Sequence, residues 1–500
     1  MNSLIPIVKQ LKVTPDFEWL TLYSEEKPVQ TINNLSLYNR ILDYLAFYKA
    51  QGLQEDDTVV IILPESKDLI AAFIAGIIYG ALPAYYAYPS PKQSIKQFIE
   101  SIENLIQFNE IKLVIGSPDV VNLLNNSSNL SYKNFIGFFV TNAVSNSSFD
   151  LKNLAPKLEK FQQFSSGTTG AKKGVVISID ALFNQINAYE EVLKLEDSSK
   201  IISWLPHYHD MGLIACTMLP FVRQTPIVVM SPFEWVKNPI MLLKAIGKYN
   251  GTNIWLPNFS LGHLVKTIGK DQFDDLNLSS LKSLVCCSEP LLNNTYNKFI
   301  KRFSSLKGFN PNVVSNCYAM AENTFAMTAC KSGKLKFIEV DYQELLQNSS
   351  AVLKNGGYKI SSTGAPLNNI DIKILNTSKE ALEDLKIGEI HLKSDCMLLE
   401  YHNNPSITKE AFHDGWFNTG DLGFMYEGEL YVTGRKKEMI IVGGENIYTQ
   451  DIEKIINETE HCLPGRNVVF GTFDERVGTE RIVALIEAKL ENHEKIDLLK

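Results

Sequence analysis

The feature that most constrains this 500-residue chain is a regular alternation of two kinds of apolar pattern. Short runs such as TVVIIL at residues 58–63 and IKLVIG at 111–116 read as strands buried on both faces. Between them, residues 38–51 and 67–79 carry apolar residues at helical spacing, and residues 81–88 read as extended. Strands that alternate with helices predict an α/β fold with largely parallel sheets. Asn- and Ser-rich stretches at 125–130 and 142–148 read as surface loops. From residue 370 to 442 the strands shorten and turns multiply, as in a small β-rich subdomain. A helix over 451–457 and strands over 467–470 and 482–488 then suggest the start of a small α+β domain.

Composition narrows the class. Hydrophobic residues make up 45% and charged residues 21%, ordinary for a globular chain and wrong for a disordered or fibrous one. The formal charge of −8 gives no broad positive field, so nucleic acid is not an expected partner. Seven cysteines without a C-x-x-C pair suit neither a disulfide framework nor a zinc site, and predict reduced thiols in a cytoplasmic protein. The N-terminus has no secretory pattern. Residues 69–88 are apolar and uncharged over about the length of a membrane span. Gly76, Gly80 and Pro83 interrupt them, so a buried helix running into a buried strand is expected, with no integral membrane segment.

Four stretches carry chemistry. Residues 164–174 (FSSGTTGAKKG) pack small hydroxyl residues, three glycines and two lysines into one short loop. Glycine lets backbone N–H groups approach an anion, and Ser165, Ser166, Thr168, Thr169 and Lys173 add donors and charge around Gly167 and Gly170. The spacing is not that of a Walker A loop. A polyphosphate cradle is the functional reading; a flexible Ser/Gly turn is the plain one. Residues 203–213 (SWLPHYHDMGL) contain an H-x-H-D cluster, but the spacing of a binuclear metal site is missing, so His209 either lines a site or sits satisfied in a polar loop. In residues 316–324 (NCYAMAENT), Glu322 stands among apolar neighbours. A buried carboxylate needs a partner, which Mg²⁺ on a nucleotide or an ordinary ion pair would supply. In residues 414–447, Asp421 in a Gly-flanked turn could accept ribose hydroxyls and Arg435 could reach ribose or phosphate; a solvated charge run over 435–438 is the alternative.

In this order and spacing, the four stretches resemble the adenylate-forming superfamily of acyl- and aryl-CoA synthetases, peptide-synthetase adenylation domains and luciferases. The resemblance runs from about residue 35 to about residue 490. The chain is most similar to the fatty acyl-AMP ligases, through Ala87-Tyr88-Pro89, Trp204-Leu205-Pro206, His209-Asp210-Met211-Gly212-Leu213, Met230-Ser231-Pro232, Pro257-Asn258-Phe259, Ser288-Glu289-Pro290, Tyr318-x-x-Ala321-Glu322 and Asn446-x-Tyr448-x-x-Asp451-Ile452-Glu453.

The resemblance implies a large N-terminal domain of stacked αβαβα sheets with a β-rich subdomain (residues 1–436), then a shortened α+β domain (437–500) beyond a hinge at Lys437. It implies that a fatty acid and ATP give acyl-adenylate and pyrophosphate. The loop from Ser165 would hold the phosphates, Glu322 the Mg²⁺, and Asp421 with Arg435 the ribose. Ser288, Glu289, Asn316, Cys317, Tyr318, Ala319 and Met320 would flank the adenine. His209 would sit by the acyl carboxylate, with Asp210, Met211 and Ile214 along the acyl site. Residues 331–357 fall where fatty acyl-AMP ligases carry an insertion that disfavours release to CoA, so an acyl carrier protein is the expected acceptor. A fatty acyl-CoA ligase and a non-catalytic acyl- or nucleotide-binding protein remain alternatives.

Three departures bear on these expectations. Cys287 stands in a stretch where the superfamily has a glycine, and Ala319 replaces a glycine, each adding a side chain near the expected adenine site. From Lys437 the chain runs only to Lys500, without the Ser-Gly-Lys-type motif whose lysine bridges carboxylate and ATP.

Overall fold

The computed structural model describes residues 2–89, 94–127, 135–144, 149–154, 157–165, 173–442, 445–474 and 479–488. Two compact units emerge. The first comprises Met1–Leu335, Pro366–Ile370 and Ser394–Glu410; the second comprises Lys336–Ala365, Asp371–Lys393 and Ala411–Lys500. Residue 437 lies inside the second unit.

Two sheets build the first unit. One runs in the order Glu400–Tyr401, Lys173–Ser178, Lys160–Ser165, Leu82–Tyr85, Thr58–Ile62, Leu113–Gly116, Gly137–Val140. Its last five strands are parallel, as the alternation predicted, and the first two run antiparallel to their neighbours. In the other sheet Val314–Ala319, Ser283–Cys286, Asn253–Leu256, Ile201–Ser203, Ile227–Val229 and Glu18–Leu22 are neighbours and all parallel.

The membrane-like run is a helix, Lys67–Tyr79, followed by the strand Leu82–Tyr85. Ser66 caps the helix by accepting from the Leu69 N–H at 3.2 Å. Gly80 ends it with φ +90°, a conformation that costs glycine little. Every residue from Leu69 to Ile78 is buried, so the helix is apolar on all sides because protein surrounds it. Among the described residues no helix is long and apolar enough to cross a membrane. The loop expected at 125–130 is helical over its first three residues, and residues 128–130 lie outside the described residues. The helix Pro118–Ser127 extends into it, turning Val120, Val121 and Leu124 inward against the sheet.

The second unit is β-rich. Its core packs Val340, Leu345, Ala351 and Ile360 against Phe424 and Tyr431, whose rings stack 5.2 Å apart. Residues 331–357, the expected insertion, thus supply three of those core side chains, along with the strand Phe337–Val340 and the helix Tyr342–Gln347. Further along, the helix Thr449–Glu458 packs beside the hairpin Cys462–Asp474/Thr479–Ala488.

Candidate active site

The parallel sheet of the first unit decides where chemistry can gather. Ligands of open α/β sheets bind outside the carboxyl ends of the strands. Four neighbouring strands end there on the residues singled out above: Ile201–Ser203 leads to His209, Asn253–Leu256 to Phe259, Ser283–Cys286 to Glu289, and Val314–Ala319 to Glu322.

His209 Nδ1 lies 2.6 Å from Asp210 Oδ1, and the same carboxylate oxygen accepts the Met211 N–H at 2.7 Å. The Asp210 carboxylate raises the His209 pKa, partial burial opposes it, and Glu289 adds a smaller upward push. Glu289 Oε2 accepts the Phe259 N–H at 2.9 Å, and desolvation raises its carboxyl. The two loops therefore present a half-exposed imidazole, paired with Asp210 and shifted toward its protonated form, near an anchored acid. Beside them Trp204 and Trp235 stack at 3.8 Å, with the Phe259 ring edge-on to both.

Met211 and Ile214 open a π-helix, Met211–Met218, with exposures of 2% and 1%. The wide winding is tied by Thr217, whose hydroxyl donates to the Gly212 carbonyl five residues back at 2.9 Å. Gly212 is obligatory, since a Cβ there would fall 2.1 Å from the Pro206 carbonyl oxygen. π-segments of this kind frequently mark functional sites.

Glu322 sits in a single 3₁₀ turn, Ala321–Asn323. Desolvation raises its carboxyl, and the Asp210 charge adds to this; Tyr401, donating its O–H to Oε1 at 2.8 Å, and the Lys173 ammonium act the other way. Lys173 lies over the Tyr401 ring, 5.2 Å from its centroid. The turn is held from behind by a strained residue. Thr324 has φ +62° and ψ −51°, and the Phe325 N–H donates to the Asn323 carbonyl at 2.6 Å, which defines a γ-turn of the rare positive-φ kind. For a β-branched residue this conformation survives only when its surroundings impose it. They do: Thr324 Oγ1 donates to the Cys396 carbonyl at 2.7 Å, and Gln163 Nε2 donates to the Thr324 carbonyl at 3.1 Å.

Of the residues expected to hold phosphate, Ser166, Gly167, Thr168, Thr169 and Gly170 lie outside the described residues, while Ser165 and Lys173 pair as the last described rung between the strands Lys160–Ser165 and Lys173–Ser178. Gly174 is explained differently from the sequence reading. A Cβ there would meet the Gln162 amide at 1.7 Å, so this glycine makes room for a buried side chain. Asn316 and Cys317 are buried, and Tyr318, Ala319 and Met320 are half-buried at the strand's end; Ser288 turns the neighbouring loop with φ +69°. Cys287 does not reach out toward a ligand: its Sγ lies 3.7 Å from Cys317 Sγ in the core.

Asp421 and Arg435 belong to the second unit. They are cross-strand partners, with Arg435 Nε 3.3 Å from Asp421 Oδ1. Lys437 lies in the short 3₁₀ turn Lys436–Glu438 that follows. Sequence reasoning missed Tyr401, Gln163 and Thr324. Tyr401 is visible only once the strand Glu400–Tyr401 is paired with Lys173–Ser178, and nothing local marks Thr324 as strained.

The family model described as AMP-binding enzyme matches residues 36–402. A Caulobacter vibrioides protein named as an acyl-CoA synthetase is 27% identical, over 96% of this chain and 89% of its own length. The medium-chain-fatty-acid–acyl-carrier-protein ligase JamA of Moorena producens is 26% identical, over 95% of this chain and 83% of its own length. Among solved structures, a Legionella pneumophila fatty acyl-adenylate ligase in complex with acyl adenylate and pyrophosphate is 26% identical with a TM-score of 0.79, covering 99% of this chain and 88% of that one.

Proposed function

Since the chain belongs to the AMP-binding enzyme family, we propose that it is a fatty acyl-AMP ligase: it joins a fatty acid to ATP, releases pyrophosphate, and passes the acyl group to the thiol of an acyl carrier protein. The observation that carries this reading is that one unit holds Glu322 and Lys173 on the two sides of Tyr401, with the Asp210 of the His209–Asp210 pair near enough for its charge to act on the Glu322 carboxyl.

The reaction asks for positioning and charge neutralisation more than for covalent help from side chains. With its Nδ1 turned to Asp210, the His209 ring would offer Nε2–H to the fatty carboxylate, and protonation would strengthen that hold. The exposed Phe259 ring, backed by the buried Trp204–Trp235 stack, would take the first part of the acyl chain. Lys173, the first residue of the strand Lys173–Ser178, would meet the phosphates.

Mg²⁺ fits the donor set. Glu322 is a desolvated carboxylate that also feels the charge of Asp210, and a hard, oxygen-seeking dication relieves both. When bound it would neutralise charge on the phosphates; Glu322 would hold it.

The acceptor is the finer part of the proposal. JamA acts with a carrier protein, whereas the Caulobacter relative is named for CoA. Because residues 331–357 furnish part of the second unit's core, deleting them tests folding rather than specificity. The direct test offers holo-acyl carrier protein and CoA side by side with ATP and a fatty acid. Acyl transfer to the carrier protein with little acyl-CoA is expected; equal or faster formation of acyl-CoA overturns the acceptor assignment in favour of a fatty acyl-CoA ligase.

A further inference from the structure

We propose that Tyr401 is a positioning residue of the nucleotide site, holding the Glu322 carboxylate and the Lys173 ammonium in one fixed relation. The inference rests on the reading above, in which Glu322 holds the metal and Lys173 meets the phosphates.

Tyr401 is only 6% exposed. It lies on a segment that is bonded on both sides. Leu398 N–H donates to the Glu322 carbonyl at 2.7 Å, and His402 N–H donates to the Gly174 carbonyl at 2.7 Å. Between those two anchors, Tyr401 pairs with Val175 on the exit strand of the phosphate hairpin. Its own N–H donates to Thr408 Oγ1 at 2.9 Å, so the backbone beneath the ring is fixed. The side chain then repeats the bridge: the O–H goes to Glu322 and the ring face to Lys173.

Each half of that side chain has a separate job. A phenol that donates to one carboxylate oxygen fixes the carboxyl plane and leaves acceptor capacity for a cation. Hydrogen bonds to charged groups are among the stronger ones. The ring face holds the ammonium by cation–π attraction without consuming its protons, which stay available to phosphate oxygens. Tyr401 thereby links a residue whose chemistry is metal binding to one whose chemistry is anion binding.

The two halves can be removed one at a time. Tyr401→Phe deletes the O–H and keeps the ring; Tyr401→Leu deletes both. The probes are Mn²⁺, whose free concentration is read by electron paramagnetic resonance in the presence of α,β-methylene-ATP, and the same analogue titrated in EDTA. Tyr401→Phe is expected to weaken Mn²⁺ binding about tenfold, as loss of a charge-assisted hydrogen bond implies, while binding of the analogue in EDTA stays within about twofold. Tyr401→Leu is expected to weaken the metal-free binding as well, by about three- to fivefold. The metal-free titration doubles as the control for folding. Mn²⁺ binding by Tyr401→Phe equal to the parent, with Glu322→Gln defective, would overturn the role of Tyr401 alone. Unchanged Mn²⁺ binding in Glu322→Gln would overturn the placement of the metal on which the inference stands, and the inference with it.

Discussion

Gln163 donates its side-chain amide to the backbone carbonyl of Thr324 at 3.1 Å, tying the strand that leads into the phosphate loop to the turn that carries Glu322. The bond clamps a residue in a conformation it would not choose. Thr324→Gly would relieve strain of about 1–3 kcal/mol and lose a hydroxyl bond of about 1 kcal/mol. Stability should therefore change by less than about 2 kcal/mol in urea unfolding. Fatty-acid-dependent pyrophosphate release should nonetheless fall on the order of tenfold, because the turn behind Glu322 is no longer locked. A glycine variant with unchanged turnover would show that the strain does not serve the site.

Lys173 heads the exit strand of the phosphate hairpin with its ammonium over Tyr401. Lys173→Met keeps the length of the side chain and removes the charge. Removing one preorganised donor to a developing anion costs about 10²–10³ in rate. Pyrophosphate release should drop by about that factor, more in kcat than in the KM for ATP. An unchanged rate would remove Lys173 from the site.

The His209–Asp210 pair predicts a pH dependence of definite sign. Asp210 holds the imidazole protonated above its ordinary 6.5. The charge that attracts a fatty carboxylate is therefore present at lower pH and lost as pH rises through the raised value. The stabilisation of the folded state by the pair follows the same course, full below the ordinary value and gone above the raised one. The kcat/KM for fatty acid should decline on that alkaline limb, and Asp210→Asn should move the limb to lower pH. A limb that stays in place in the variant would mean that His209 does not govern it.

In the second unit Glu389 answers acid in the opposite sense. Burial would raise its carboxyl. The hydrogen bonds from Lys379, Asn418 and Lys436, at 3.0, 3.1 and 3.2 Å, outweigh burial and hold it down to about 2. Stability from this hub is present above the ordinary 4.5 and lost as pH falls through about 2. Glu389→Gln should lower the unfolding midpoint at neutral pH, and the gap to the parent should close between those two values. A gap independent of pH would place its origin in packing.

Much of this architecture was legible because burial writes itself plainly into a chain. The strand Thr58–Ile62 and the helix Lys67–Tyr79 follow from apolar runs and from the interruption at Gly80. His209, Glu322 and Lys173 were legible as polar residues set in otherwise apolar or glycine-rich surroundings. Other features were not, for physical reasons. The π-helix Met211–Met218 depends on a hydroxyl bond from Thr217 to Gly212, and apolar spacing does not encode it. Gly174 answers to a Gln162 side chain on the paired strand, a neighbour known only once the hairpin forms. Tyr401 lies far along the chain from Lys173 and Glu322, and topology alone brings the three together.

The central claim is that this protein makes an acyl-adenylate, and the exchange of labelled pyrophosphate into ATP tests it most directly, because exchange requires the adenylate to form and revert. Run across a series of saturated fatty acids, exchange should appear only when a fatty acid is present and collapse in both Lys173→Met and Glu322→Gln. Nucleotide binding without exchange for every chain length would contradict it, and would mark the protein as one that binds these ligands without joining them.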